Sequence, residues 1–136
     1  MSVDRPAVLF LCVHNAGRSQ MAAALLARRA GRRVIVHSAG SEPAAMLNPA
    51  VAQAMAEWDI DLTGQRPTAL TDAMVENADV IVTMGCGDSC PVYPGKRYVD
   101  WDLPDPAGRS VEEVRPIRDE IDRLVTDLVN ELTKRT

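Results

Sequence analysis

Apolar residues along this chain fall into two kinds of pattern, short unbroken runs and longer stretches with helical spacing. Residues 8–13 form an unbroken run without strand-like alternation, which is typical of a strand buried on both faces of a parallel sheet. Residues 34–37 and 79–84 predict two further strands, and a short fourth strand is predicted at 98–99. We expect the second strand to end where the segment 38–40 begins.

Helices are predicted between these strands. Residues 18–30 are rich in Ala, Leu, Met and Arg, which favour helices, and Gly31 ends the stretch. The Asn-Pro pair at 48–49 is typical of an N-cap and a first helical residue, so a helix is expected from there to about residue 58. Residues 71–77 predict another short helix.

The clearest helix is the last one, where apolar residues recur at spacings of three and four between Val114 and Leu132. Ser110 and Glu113 fit a capping box at its start. Pro116 lies inside the pattern and predicts either a kink or a start nearer Val114. The opposite face, which we expect to be solvated, carries Arg115, Arg118, Asp122 and Arg123.

Strands that alternate with helices predict an α/β fold with a parallel sheet covered on both faces. A chain of 136 residues is long enough for one core, so residues 1–136 are predicted to form one domain. Ligands of such sheets bind beyond the carboxyl ends of the strands. Cys12, Cys86 and Asp105 each lie at or beyond the end of a predicted strand, so we expect them to meet at one edge.

The composition is that of a soluble globular protein, with 46% hydrophobic and 25% charged residues. A net charge of -4 argues against a general nucleic-acid binder. The apolar run at 7–13 is too short for a signal sequence or a membrane span, so we expect a cytoplasmic location and no membrane partner. Three cysteines are too few for a disulfide scaffold and cannot all pair.

The segment 12–19 (CVHNAGRS) predicts an anion-binding loop between the first strand and the first helix. Inward-facing backbone N–H groups and the helix N-terminus suit a tetrahedral oxyanion and stabilise a Cys12 thiolate. Arg18 can bind two oxyanion oxygens, Ser19 can donate to the sulfur, and Asn15 can shape the loop. The alternative is a buried structural cysteine beside a surface cation. The predicted oxyanion-binding residues are Val13, His14, Asn15, Ala16, Gly17, Arg18 and Ser19.

Two further thiols, Cys86 and Cys90, are separated by three residues in a stretch at 85–97 that contains glycine and proline. This stretch predicts a long functional loop. Incidental cysteines are one alternative, and a zinc site that combines the cysteines with the two histidines is another. Because a closed zinc site would consume Cys12, we expect no metal.

Asp105 lies between Pro104 and Pro106, beyond the fourth predicted strand. One interpretation is an Asp-Pro turn residue with no further role. The position at the ligand edge of the sheet also makes Asp105 a candidate general acid.

These motifs resemble those of the low-molecular-weight protein tyrosine phosphatases and, over nearly the full length, those of arsenate reductases that share their fold. The similar segments are 8–24 (VLFLCVHNAGRSQMAAA), 37–40 (HSAG), 48–49 (NP), 82–86 (VTMGC), Trp101, 105–108 (DPAG) and 118–121 (RDEI). The resemblance implies an open four-stranded parallel sheet with helices on both faces. It also implies that Cys12 is the nucleophile, Arg18 binds the oxyanion and Asp105 is the general acid.

By analogy with thioredoxin-coupled members, the resemblance further implies a thiol relay. Reduction of arsenate to arsenite takes two electrons, and two thiols release two electrons when they form a disulfide. Cys12 would attack arsenate, Cys86 would attack the Cys12 sulfur and expel arsenite, and Cys90 would convert the Cys12–Cys86 disulfide into Cys86–Cys90. Thioredoxin is the expected reductant, with mycothiol or glutathione and a redoxin as alternatives. Phosphate and sulfate are expected to compete with arsenate.

The chain departs from the family pattern at two places, and the first weakens the phosphatase alternative. Phosphatases of this fold place aromatic residues beside the catalytic Asp-Pro, where this chain has Ala107 and Gly108. The acidic residue that binds potassium in some relatives is missing from 21–24 (MAAA), so we do not carry that ion over to this chain. We expect no metal site and no cofactor. A low-molecular-weight tyrosine phosphatase and a non-catalytic thiol or metalloid sensor are the alternative functions.

Overall fold

Strands and helices alternate along the chain, as the sequence pattern predicts. The structure is a computed structural model that describes residues 5–84 and 95–133, so Cys86 and Cys90 lie outside the described residues. The elements in chain order are β1 (Ala7–Cys12), α1 (Arg18–Ala30), a 3₁₀ turn (Gly31–Arg33), β2 (Ile35–Gly40), α2 (Pro49–Ala56), α3 (Asp72–Asn77), β3 (Val80–Thr83), β4 (Arg97–Asp100) and α4 (Val111–Thr133).

The four strands form one parallel sheet in the order β2-β1-β3-β4. Strand β1 lies inside the sheet, and all six of its residues are buried. This burial explains why its sequence is an unbroken apolar run. The predicted open four-stranded parallel sheet is confirmed.

Helices cover both faces of this sheet, as predicted. Alternate residues of β1 point to opposite faces. Val8, Phe10 and Cys12 belong to the larger core cluster, which α1, α2 and α4 complete. Leu9 and Leu11 belong to a smaller cluster on the other face, under α3.

The predicted element boundaries hold best where a local signal sets them. Helix α1 has the predicted bounds, and Gly31 after it has a φ of 58° that suits glycine. The predicted end of the second strand is wrong, because β2 continues through Gly40. Gly40 pairs with Cys12 on one side and forms a bridge to Ala69 on the other, so these partners extend the strand.

Helix α4 begins at a capping box. The Ser110 backbone N–H donates to Glu113 Oε1 at 3.0 Å, and the Glu113 backbone N–H donates to Ser110 Oγ at 3.3 Å. The expectation of a start nearer Val114 is wrong, because the helix begins at Val111 and contains Pro116. The cap supplies hydrogen-bond partners for the backbone of the first turn. Beyond Pro116, the buried apolar residues of α4 pack on α1 and α2.

Arg118 corrects the expectation of a solvated face on α4. Its residue is 6% exposed, and the guanidinium carbon lies 4.0 Å from the centre of the Trp58 ring. Its Nη1 donates to Ala54 O and to Glu57 Oε1, both at 2.8 Å. Hydrogen bonds from Arg115 and Arg118 lower the pKa of Glu57 to about 2. Arg118 therefore attaches α4 to the end of α2.

An Arg118→Met substitution is expected to lower the free energy of unfolding by about 2 kcal/mol, because it leaves the buried Ala54 carbonyl without this donor. Chemical denaturation at pH 7 measures the loss. Arg123→Met is the matched control, since Arg123 is exposed and pairs with Glu120 on the surface. Its expected change is below about 0.5 kcal/mol. Equal losses in both variants would contradict the structural role of Arg118.

Candidate active site

Cys12 lies at the carboxyl end of β1, where the chain turns through residues 13–17 into α1. The thiol is free, and the residue is 2% exposed. It lines a small cavity together with His14, Ala16, Gly17, Arg18, Asn48, Asp105, Pro106 and Ala107. The expectation that residues after separate strands meet at one sheet edge therefore holds for Cys12 and Asp105.

The backbone carbonyls of residues 12–17 all accept hydrogen bonds, that of Asn15 from the Gln20 side chain. Four of them, on Cys12, Val13, His14 and Ala16, accept hydrogen bonds from the backbone N–H groups of Ser41, Glu42, Ala44 and Asn48. The Gly17 carbonyl accepts from the Met21 N–H at 3.0 Å within α1. Because these carbonyls already have hydrogen-bond partners, the loop can present its backbone N–H groups to an anion in the cavity.

Two donors surround the Cys12 sulfur. The Ser19 Oγ lies 2.9 Å from Cys12 Sγ, and the Asn15 backbone N–H donates to the sulfur at 3.3 Å. Asn15 adopts a φ of 51°, the left-handed conformation that asparagine tolerates better than most residues. Both donors stabilise a negatively charged sulfur more than a neutral one.

The Asn15 amide donates to the Ser19 hydroxyl. The Thr68 backbone N–H donates to Asn15 Oδ1 at 2.8 Å, so this atom must be the oxygen. The amide nitrogen then faces Ser19 and donates to its Oγ at 2.6 Å. The sulfur of an ionised Cys12 carries no hydrogen, so Ser19 Oγ, which accepts from Asn15, is then the donor to that sulfur.

Gln20 holds Asn15 in this arrangement, and sequence analysis missed it. Its side-chain nitrogen lies 3.1 Å from Asn15 O, 3.2 Å from Asn15 Oδ1 and 3.2 Å from Arg66 O. Gln20 is 4% exposed, whereas the sequence places it on a helix with no evident partner. The contact between Gln20 and Arg66 and the contact between Asn15 and Thr68 each span more than 40 residues, so no local motif signals them.

Gly40 is required by the close approach of the loop. A Cβ atom at this position would lie 2.6 Å from Val13 O and 3.0 Å from Asn15 N. Both are backbone atoms, so a larger side chain would displace the loop that surrounds Cys12.

Arg18 and Asp105 face each other across the cavity. Arg18 is buried, and one of its Nη atoms donates to Leu103 O at 3.1 Å. Its other Nη lies 3.9 Å from Asp105 Oδ2. The Asp105 side chain is 52% exposed, and its Oδ1 accepts from the Ala107 N–H at 3.0 Å. The guanidinium is therefore fixed at the edge of the cavity, beside an accessible carboxylate.

The other predicted site residues differ in their exposure to solvent. His14 is exposed on the rim of the cavity, whereas Ser19 and Asn15 are fully buried beneath it. Cys86 and Cys90 are outside the described residues.

Within residues 5–84 and 95–133, no three His, Cys, Asp or Glu side chains come together as a metal site. None of the described helices combines the length and apolarity needed to cross a membrane.

Comparison with known proteins shows which family this chain belongs to. The profile of the low molecular weight phosphotyrosine protein phosphatases matches residues 7–136. The chain belongs to this family. An arsenate reductase of Bacillus cereus is 39% identical over 121 residues, which cover 87% of this chain and 90% of that relative. The sequence-based resemblance to arsenate reductases of this fold is confirmed.

Solved structures of this phosphatase family include enzymes with different activities. The thioredoxin-dependent arsenate reductase of Corynebacterium glutamicum has a TM-score of 0.80 and 44% identity over 96% of this chain. The chain spans 62% of the length of that protein. An arginine phosphatase of Geobacillus stearothermophilus has a TM-score of 0.81 and 26% identity, covering 93% of this chain and 92% of its own length. The fold alone therefore does not separate reduction from dephosphorylation.

Proposed function

We propose that this chain reduces arsenate to arsenite, with Cys12 as the nucleophile. The observation that carries the proposal is the Cys12 sulfur, which two donors surround in a cavity that also contains Arg18 and Asp105. The cavity suits any tetrahedral oxyanion, so the choice of arsenate as substrate rests on the arsenate reductases among the relatives. Phosphate and sulfate are competing ligands on this account.

In the first step the Cys12 thiolate attacks arsenic and an oxygen leaves. Arg18 and the loop N–H groups bind the remaining arsenate oxygens, where they stabilise the developing charge. Asp105 protonates the departing oxygen, which leaves as water. Its carboxylate lies near Arg18 and is exposed enough to exchange its proton with solvent. The product is a Cys12–arsenate adduct, still at the oxidation level of arsenate.

The second step transfers two electrons. The Cys86 thiolate attacks the Cys12 sulfur, a Cys12–Cys86 disulfide forms, and the electron pair of the sulfur–arsenic bond leaves with arsenic as arsenite. Cys90 then attacks Cys86, which frees Cys12 and leaves a Cys86–Cys90 disulfide. The support for these two roles is the sequence, where both thiols follow β3, together with the electron balance.

Thioredoxin is the proposed reductant of the final disulfide, because it is the partner named for the Corynebacterium glutamicum relative. Mycothiol or glutathione with a redoxin would satisfy the same chemistry. A cycle that depends on free thiols belongs in a reducing compartment, so we propose a cytoplasmic location.

A phosphatase activity is the second candidate, and the shared fold of the arginine phosphatase favours it. Such an activity needs Cys12, Arg18 and Asp105 but neither Cys86 nor Cys90. The side chains beside Asp105 argue against a phosphotyrosine substrate, because Ala107 and Gly108 offer no aromatic surface.

The test measures arsenite formation with a thioredoxin system for the wild type and for Cys86→Ser and Cys90→Ser variants. We expect sustained turnover by the wild type and no arsenite from Cys86→Ser, because the adduct cannot be reduced. Cys90→Ser is expected to form about one arsenite per protein and then stop, because the Cys12–Cys86 disulfide is not resolved. Hydrolysis of phenyl phosphate by the same three proteins is the control.

Two outcomes contradict the proposal. Full steady-state arsenate turnover by Cys90→Ser rules out the relay through that thiol. Rapid hydrolysis of phenyl phosphate by the wild type, without arsenite formation, favours the phosphatase. A sensor predicts neither activity but stoichiometric binding of arsenite by the three thiols.

A further inference from the structure

We propose that Asn48 is a positioning residue that fixes the segment bearing Asp105 against the loop bearing Cys12. The proposal rests on the proposed function, because it assigns Asp105 the role of proton donor. Asn48 lies before α2, lines the cavity and is half-buried.

Asn48 makes hydrogen bonds to three separate parts of the site. Its backbone N–H donates to Ala16 O of the loop at 3.0 Å. Its Oδ1 accepts from the Ala50 N–H at 2.9 Å, which caps α2. Its Nδ2 donates to Pro106 O at 3.2 Å. One residue thus joins the loop, a helix terminus and the acid-bearing segment.

Asp105 needs such support because its own side chain has few contacts. It is half exposed, it accepts one hydrogen bond from the neighbouring Ala107 N–H, and its nearest guanidinium atom is 3.9 Å away. The direction of its carboxyl group therefore depends on the backbone of residues 103–106. A displacement of about 1 Å at a reacting group can cost a factor of about 10² in rate.

The backbone around Asp105 is held at three carbonyl groups. Arg18 donates to the Leu103 carbonyl, and the Arg109 Nε donates to the Asp105 carbonyl at 2.8 Å. The Pro106 carbonyl accepts from the Arg109 backbone N–H at 3.1 Å and from Asn48. The Pro106 ring also packs on Gly17, where a Cβ would lie 2.6 Å from its Cγ. Arg109 follows Asp105 closely in the same segment, and Arg18 is assigned to the oxyanion. Asn48 is therefore the donor that ties this segment to the loop bearing Cys12 and is not assigned to substrate.

Capping of α2 does not account for the hydrogen bond from Asn48 Nδ2 to Pro106 O. Capping of α2 uses only Oδ1, and Ser and Asp are N-caps about as good as Asn. A serine is too short to reach Pro106 O from this position. Asn48→Ser therefore removes the hydrogen bond to the acid-bearing segment while it keeps an acceptor for the cap.

The experiment measures arsenite formation in a single turnover at varied arsenate. For Asn48→Ser we expect the maximal rate constant to fall about tenfold, a part of the 10²- to 10⁴-fold contribution of a general acid. The half-saturating arsenate concentration is expected to change less than about twofold, because the residues that bind the oxyanion remain. Thr71→Ala, which removes the N-cap of α3 on the other face, controls for lost helix stability and should leave the rate unchanged.

A double-mutant cycle separates positioning from stability. In an Asp105→Asn background, Asn48→Ser is expected to change the rate constant less than about twofold, since the proton it helps to place is absent. Asn48→Thr, which also keeps a hydroxyl for the cap, lacks the amide donor and adds no charge to the cavity, serves as a second variant if the serine variant does not fold.

An equal loss in both backgrounds overturns the proposal, as does a change confined to the half-saturating concentration. Failure of the proposed function is recognised separately, because the wild type then forms no arsenite. In that event the same cycle, followed through phenyl phosphate hydrolysis, decides whether Asn48 acts through Asp105. Non-additive losses there support the positioning role, and additive losses overturn it.

Discussion

Replacing Cys12 by serine is expected to reduce arsenite formation at least about 10³-fold, the largest effect of any single substitution. A serine hydroxyl does not ionise at neutral pH, so the donors from Asn15 and Ser19 have no thiolate to stabilise. The electron pair that reduces arsenic also passes through the Cys12 sulfur in the proposed cycle. Single-turnover chemical quench with quantification of arsenite measures the loss.

Binding of the oxyanion provides the control for Cys12→Ser. Arg18 and the loop N–H groups are unchanged in the variant, so phosphate is expected to raise its melting temperature about as much as that of the wild type. Arsenite formation within tenfold of the wild-type rate would contradict the role of Cys12. Loss of phosphate stabilisation together with activity would instead indicate a collapsed loop.

An Asp105→Asn substitution is expected to lower the single-turnover rate constant by about 10²- to 10³-fold. Asparagine keeps the size of the side chain and can still accept from the Ala107 N–H, but it carries no proton that it can transfer. Asp102→Asn is the matched control, since Asp102 is exposed nearby but does not line the cavity. The control is expected to stay within about twofold of the wild type.

Leaving-group dependence checks the role of Asp105 further. For aryl phosphates hydrolysed at the same cavity, the loss in Asp105→Asn should be larger for phenyl than for 4-nitrophenyl phosphate. The phenolate is the more basic leaving group and gains more from protonation. Equal losses for both esters would indicate that Asp105 acts electrostatically through Arg18 rather than as a proton donor.

The sequence predicts those features that local signals determine. The apolar run of β1, the helix formers of α1 and the spacing between Cys12 and Arg18 lie within one stretch of chain. Asn15 shapes the loop, as its position in the motif suggests, because its side chain donates to Ser19 and its backbone is left-handed. The parallel sheet follows from alternating elements, and it places Asp105 near Cys12 by topology alone.

Contacts between distant segments were not predictable in the same way. Gln20 donates to Arg66 O and Asn48 donates to Pro106 O, in each case across more than 40 positions. The sequence identified Asn48 as a helix cap but gave no indication of its second hydrogen bond. Arg118 was expected on a solvated face because periodicity does not show that the end of α2 covers it.

In the proposed cycle, one reduced chain holds the two electrons needed for one arsenate. The most direct measurement mixes fully reduced protein with excess arsenate in the absence of any reductant, and counts arsenite and free thiols. We expect one arsenite per protein and a fall from three titratable thiols to one. Release of no arsenite, or arsenite formed with all three thiols still free, would contradict it.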